Sequence, residues 1–188
     1  YITRNIDDLL IGKYLDTQQL GIYDRAYKLT KYPLESVKGV LNNVFYPLLS
    51  CYQDRQEEQN KLYIKVLRLF LLIFIPMTAV LDIMSEEIII ILYGTEWYQT
   101  ISIFRILALS VWVQVISAMG SIYLQSTGRT DLLVVTGKYL NCFSILGIII
   151  GLFFGIKGVA IGFTAGYYIG FFFSFNFIFT IKSKKIID

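Results

Sequence analysis

No histidine occurs anywhere in the 188 residues, so a Ser–His triad and a histidine-ligated metal site have no side chain to build on. The chain also lacks G-x-S-x-G and GK[ST], which removes the nucleophile elbow and the phosphate loop of nucleotide hydrolysis. Its two cysteines, Cys51 and Cys142, stand far apart without a partner motif, and neither a disulfide framework nor a thiolate metal site is expected. Charged residues make up 16% of the chain, against about 25% in an average soluble domain. The net charge of +3 is small and the basic residues form no continuous patch, so nucleic acid is not an expected partner. Adjacent acids such as Asp7/Asp8 and Glu86/Glu87 point in different directions on a helix and make a poor catalytic dyad. No catalytic residue, metal ligand or cofactor is therefore assigned, and the chain is not expected to be an enzyme.

What the sequence does contain is apolar length. Hydrophobic residues reach 55% and the mean hydropathy is +0.58. Gly158 to Ile181 runs 24 residues without a charge, Leu107 to Gly128 runs 22, and Tyr139 to Ile156 runs 18. Each is near the ~20 residues that carry a helix across ~30 Å of hydrocarbon. The expected fold is all-α and polytopic, with about six membrane helices: a truncated one at 1–15, then 22–49, 61–82, 105–126, 132–155 and 158–181. In the third of these, Lys65 and Arg68 sit within the first turns and can snorkel to one interface, and Pro76 predicts a kink. Ile88 to Tyr93 is too short to cross and reads with Trp97 and Tyr98 as an interfacial element. The opening Tyr1, with no leader pattern after it, reads as the start of an internal or C-terminal piece of a longer chain.

Charge placement predicts an orientation. With Lys182, Lys184 and Lys185 in the cytoplasm, the loops carrying Arg55, Lys61 and Arg129 share that side, and Lys157 and the acidic Asp82, Glu86, Glu87 and Glu96 face outward. This agrees with six spans and a cytoplasmic C-terminus.

Steps of four and three from Asp24 pass through Lys28, Lys31, Glu35, Lys38 and Asn42, a polar stripe about 27 Å long at ~1.5 Å per residue. Two placements are open for it. The helix lies flat on the bilayer with its lysines at the headgroups, or it crosses with its stripe toward a watery cavity, because a charge facing lipid costs roughly 2.5–3.5 kcal/mol near the centre. Pro33 and Pro47 would bend or end this helix. Arg4 stands three and four positions before Asp7 and Asp8, within helical pairing reach of each, and the three either line the same cavity or form an ion pair at a helix end. In the last two spans Gly147, Gly151 and Gly155, then Gly158, Gly162, Gly166 and Gly170, recur every fourth residue and predict close helix packing, with Phe171, Phe172, Phe173, Phe175 and Phe177 turned to lipid or the interface. GRTD at 128–131 predicts a tight turn with Thr130 or Asp131 as the next helix cap.

The blocks NIDDLLIGKYLD, LGIYDRAYKLTKYPLESVKGVLNNVFYPLLS, ILYGTEWYQT and LQSTGRTDLL, in this order, resemble the second half of bacterial polysaccharide flippases, the Wzx-like branch of the multidrug/oligosaccharidyl-lipid/polysaccharide exporter superfamily. The resemblance implies the C-terminal lobe of a two-lobed transporter in the bacterial inner membrane, moving an isoprenoid diphosphate-linked oligosaccharide between leaflets by alternating access for lipopolysaccharide or exopolysaccharide assembly. Its partners would be that substrate, membrane lipids and the N-terminal lobe; a coupling ion, proton or sodium, is not assigned. The cavity-lining positions carried over are Arg4, Asp7, Asp8, Lys28, Lys31 and Lys38, to which the stripe adds Glu35 and Asn42. Asp16 stands where the family usually has Gly after LLIGKYL. A cation antiporter of the same superfamily is the alternative, and a membrane-embedded glycosyltransferase or polymerase a more distant one, since the longest segment between the expected spans, 83–104, has only 22 residues and no large loop is present.

Overall fold

In the computed structural model, the backbone of residues 6–184 and the side chains of residues 10–176 are described. Among the described residues every regular element is a helix. They are α1 (Ile6–Tyr14), α2 (Thr17–Val40), a π-helical turn at Leu41–Phe45, α3 (Tyr46–Ser50), α4 (Gln56–Ile83), α5 (Ser85–Tyr93), a 3₁₀ turn at Thr95–Trp97, α6 (Tyr98–Ala108), α7 (Val111–Ser126), α8 (Thr130–Leu152) and α9 (Gly155–Lys184). The protein is all-α and polytopic. By length and composition α4, α8 and α9 can each cross a membrane, and Thr95–Ala108 with Val111–Ser126, bent by 43°, forms a fourth candidate. The α2–α3 stretch has the length to cross but carries too many polar groups to pass on hydropathy, which is the mark of its stripe.

Ending the helix is one of the two outcomes expected at Pro33 and Pro47, and none of the three prolines ends its helix. Helix α2 runs through Pro33 unbroken, and α4 runs through Pro76. Before Pro47 the chain widens by one residue per turn, so that Tyr46 N–H donates to Leu41 O five residues back. A π turn there lets the helix continue past a residue that has no N–H to give and whose ring crowds the preceding carbonyls.

Three glycines have positive φ: Gly94 (87°), Gly128 (70°) and Gly155 (71°), each in a break between helices. The GRTD turn thus uses Gly128 for its left-handed residue. The cap differs from expectation: Arg129 is the N-cap of α8, without a side-chain cap bond, and Thr130 and Asp131 lie in the first turn. At Asp16, φ is −136° and ψ is 154°, ordinary extended backbone that any residue adopts, so the α1–α2 joint needs no glycine there.

Two apolar clusters form the core. One joins Ile22, Tyr23 and Ala26 of α2 to Ile89, Ile101, Ile103, Phe104 and Leu107, and to Ile148, Val159, Ala160 and Phe163 of the last two helices. The other joins Leu34, Val37, Leu41, Phe45 and Leu49 to Phe74 of α4 and to Val111, Val115, Met119 and Ile122 of α7.

Helices α8 and α9 pack backbone to backbone. A Cβ on Gly151 would lie 2.3 Å from Gly158 O, one on Gly166 2.3 Å from Phe143 O, and one on Gly170 2.9 Å from Leu140 Cα. The contacts descend α8 as they ascend α9 in steps of four, a continuous antiparallel register. Gly155 departs from the expected packing row: an added Cβ would meet nothing within 4 Å, and its positive φ ends the α8–α9 turn instead. Phe172, Phe173 and Phe175 are exposed on the outer surface of α9, Phe171 is half-buried, and the Phe177 side chain lies outside the described residues.

Candidate functional site

The buried residues of α2 and its continuation recur as Ile22, Ala26, Thr30, Leu34, Val37, Leu41, Phe45 and Leu49, a seam with steps of four and three. Such a seam consumes one side of the helix and turns the residues between its members away from the core. Lys28, Glu35 and Asn42 are accordingly exposed, and Lys31 and Lys38 are half-exposed beside them. Val40 and Val44, which flank the stripe, are exposed too, whereas Val37 and Leu41 belong to the seam.

The charges on this face are partly matched. Lys28 Nζ lies 2.6 Å from Asp24 Oδ2, and Lys38 Nζ 2.8 Å from Glu35 Oε1. Lys31 differs: its Nζ sits 4.2 Å from the Tyr27 ring centroid, and among the described residues it has no carboxylate within ion-pair distance. In water each such pair is worth only about 0.3–0.5 kcal/mol, so an incoming anion can displace a carboxylate at little cost. The stripe therefore offers one cation without a carboxylate between two that are held by weak pairs.

The position of this face follows from what its helix touches. At the α2 start, an added Cβ on Gly21 would come 4.0 Å from the Trp97 ring, and the Arg25 guanidinium lies 3.4 Å from that ring centroid and 5.6 Å from that of Tyr93. At the far end, the buried Gln59 amide donates to Leu49 O at 2.9 Å and reaches Ser126 Oγ at 3.5 Å. Between these ends, the early seam packs on α6 and the late seam on α7. The helix from Thr17 to Ser50 thus lies lengthwise along the bent candidate span, in the same direction, with both pairs of ends meeting.

Arg4 lies outside the described residues, and Asp7 and Asp8 sit in α1 with side chains outside them. Helix α1 packs against α2 and α8.

Three features near this face carried no readable signal. Arg25 stacks on Trp97 across 72 positions. Tyr168 OH donates to Leu109 O at 2.8 Å and accepts from Trp112 Nε1 at 2.8 Å, which ties α9 to the break between α6 and α7. There Thr164 Oγ1 donates to Ile106 O at 3.1 Å and Ser110 Oγ to Leu107 O at 2.6 Å, so carbonyls at the bend find side-chain donors. The two cysteines are free and exposed. Among the described residues no group of three His, Cys, Asp or Glu side chains gathers to hold a metal ion.

The model of the family described as "Polysaccharide biosynthesis protein" matches residues 1–102. The chain is 24% identical over 128 residues to the teichuronic acid biosynthesis protein TuaB of Bacillus subtilis (strain 168), covering 68% of this chain and 26% of that protein. It is 23% identical over 152 residues to the lipopolysaccharide biosynthesis protein WzxC of Escherichia coli (strain K12), covering 80% and 31%. With the amylovoran biosynthesis protein AmsL of Erwinia amylovora it shares 25% identity over 125 residues, covering 66% and 32%. The matched part thus spans about a third or less of the length of these relatives. No solved structure matches the chain.

Proposed function

The chain belongs to the polysaccharide biosynthesis protein family, and we propose on that premise that it is the C-terminal lobe of a flippase, a non-enzymatic transporter that moves lipid-linked oligosaccharide across the bacterial inner membrane. The observation that carries the reading is the lengthwise seat of the Thr17–Ser50 helix along the bent span, end to end. A helix lying flat on a surface would cross such a span instead of following it.

On this reading the stripe looks into a water-filled cavity closed by the other lobe. Lys28, Lys31 and Lys38 meet the diphosphate, Glu35 and Asn42 the sugars, and the isoprenoid tail stays in lipid. Arg4, Asp7 and Asp8 of the preceding segment join the same lining. Lysine suits the task because its compact ammonium, on a flexible four-carbon stem, can follow a phosphate while the cavity opens first to one side and then to the other. The C-terminus is cytoplasmic, by the lysines that follow Ile181. The cation antiporter alternative wants surplus carboxylate in its cavity, and this lining has none, with Arg4, Lys28, Lys31 and Lys38 against Asp7, Asp8, Asp24 and Glu35.

Replacing Lys28, Lys31 and Lys38 together with Gln in the full-length protein should abolish surface polysaccharide while membrane insertion stays intact. Undiminished polysaccharide on cells of that variant would sink the proposal.

A further inference from the structure

We infer that the outward face of α4 carries a seat for one anionic phospholipid, separate from the stripe on α2. A groove of about 500 Å³ runs along this face, lined by Lys61, Lys65 and Arg68 with Ile64, Leu69 and Leu72. The three cations follow each other by four and three positions and so share one face of the helix. None of them has an ion-pair partner among the described residues; Glu58, one turn before Lys61, lies 3.6 Å from Arg55 instead.

All six lining residues are exposed, with Leu72 at 74%. Past the groove the same helix shows Ile73, Ile75, Val80 and Ile83 to its surroundings. This face is thus cationic near its N-terminal end and apolar for the rest of its length. A phospholipid has the complementary order, with a phosphate at one end and hydrocarbon beyond it.

Spacing makes the match specific. Arg68 stands seven residues past Lys61, about 10 Å along α4 at ~1.5 Å per residue, so its stem can reach back to the headgroup level of Lys61 and Lys65. Lysine and arginine stems lying over Ile64 and Leu69 can direct all three charges to one phosphodiester, which gives the guanidinium an anion while the acyl chains cover the leucines. On the proposed orientation the seat belongs to the cytoplasmic leaflet. The inference needs α4 to be in a membrane and does not depend on transport.

The test is native mass spectrometry of the full-length protein, released from nanodiscs of equimolar phosphatidylglycerol and phosphatidylcholine. Wild type should retain one phosphatidylglycerol in preference to phosphatidylcholine by roughly tenfold or more, given about 1 kcal/mol per basic residue at an anionic lipid surface. The Lys61→Gln/Lys65→Gln/Arg68→Gln variant should lose that preference, and Lys61→Arg/Lys65→Arg should keep it. All three side chains are exposed, and unchanged helical circular dichroism confirms that each variant is folded. Equal retention of both lipids by wild type, or a preference that survives the triple substitution, would overturn the assignment. So would full displacement of the lipid by millimolar inorganic phosphate, or by an isoprenoid diphosphate at stoichiometric amounts, which would hand the site to a free anion or to the transported lipid.

Discussion

Gly147 and Gly162 face each other so closely that a Cβ built on either would stand 2.0 Å from the carbonyl oxygen of the other. No rotamer relieves that contact, because both atoms belong to or adjoin the backbone. Gly147→Ala or Gly162→Ala must therefore push α8 and α9 apart, and with them the Gly151–Gly158 and Phe143–Gly166 contacts on either side. The expected loss is at least the ~1–3 kcal/mol of an overpacked core, read as a lowered unfolding midpoint in detergent. Gly137→Ala in α8 and Gly120→Ala in α7 are the internal controls. Nothing lies within 4 Å of a Cβ at either. Both should be neutral, or stabilising by roughly 0.5–1 kcal/mol through helix propensity. A midpoint unchanged in Gly147→Ala would mean that the two helices are not in backbone contact.

Tyr168→Phe removes one hydroxyl that serves two partners, the Leu109 carbonyl and the Trp112 indole N–H. Both are left wanting at the bend of the α6–α7 span. A loss of about 1–2 kcal/mol is expected, with faster hydrogen exchange around residues 109–114 than elsewhere. Uniform exchange across the whole chain in the variant would argue that the hydroxyl does not hold the bend.

Arg25→Ala should free the α5 and Thr95–Trp97 segment from α2. The stacked guanidinium is worth about 1–2 kcal/mol when partly desolvated. Limited proteolysis near Gly94 should accelerate, and Arg25→Lys should restore part of the protection, because an ammonium keeps the charge over Trp97 but loses the planar stack. Equal cleavage of wild type and Arg25→Ala would remove the stack from the account.

Much of this architecture is legible in the residues themselves, for reasons that differ between elements. Glycine every fourth position has few uses on an apolar helix other than close approach, so the α8–α9 register could be read in advance. The stripe from Asp24 to Asn42 was equally plain, since charges at helical spacing name a face whatever surrounds it. Which way that face looks was not plain: it depends on α6 and α7, some 70 to 80 positions on, and local periodicity carries no information about a partner helix. Arg25 falls just beside the stripe and Trp97 reads as an interfacial residue, so their stack was hidden for the same reason. The bend at Leu109–Ser110 contains neither proline nor glycine, and the donors that stabilise it, Thr164 and Tyr168, come from the last helix. Pro33, Pro47 and Pro76 leave their helices continuous, and at Pro47 a π turn precedes the ring, a local adjustment that spacing alone does not announce.

The central claim is that the polar face of α2 is wet along its length and runs through the bilayer. Nitroxide labels placed singly at positions 24, 28, 31, 35, 38 and 42, in a background with Cys51→Ser and Cys142→Ser, report that directly when their immersion depth and water access are measured in lipid vesicles. The expected result is water access at all six positions, with depth changing along the series by most of the ~27 Å that separates its ends. One shallow depth shared by all six labels would place the helix on the membrane surface and contradict the account.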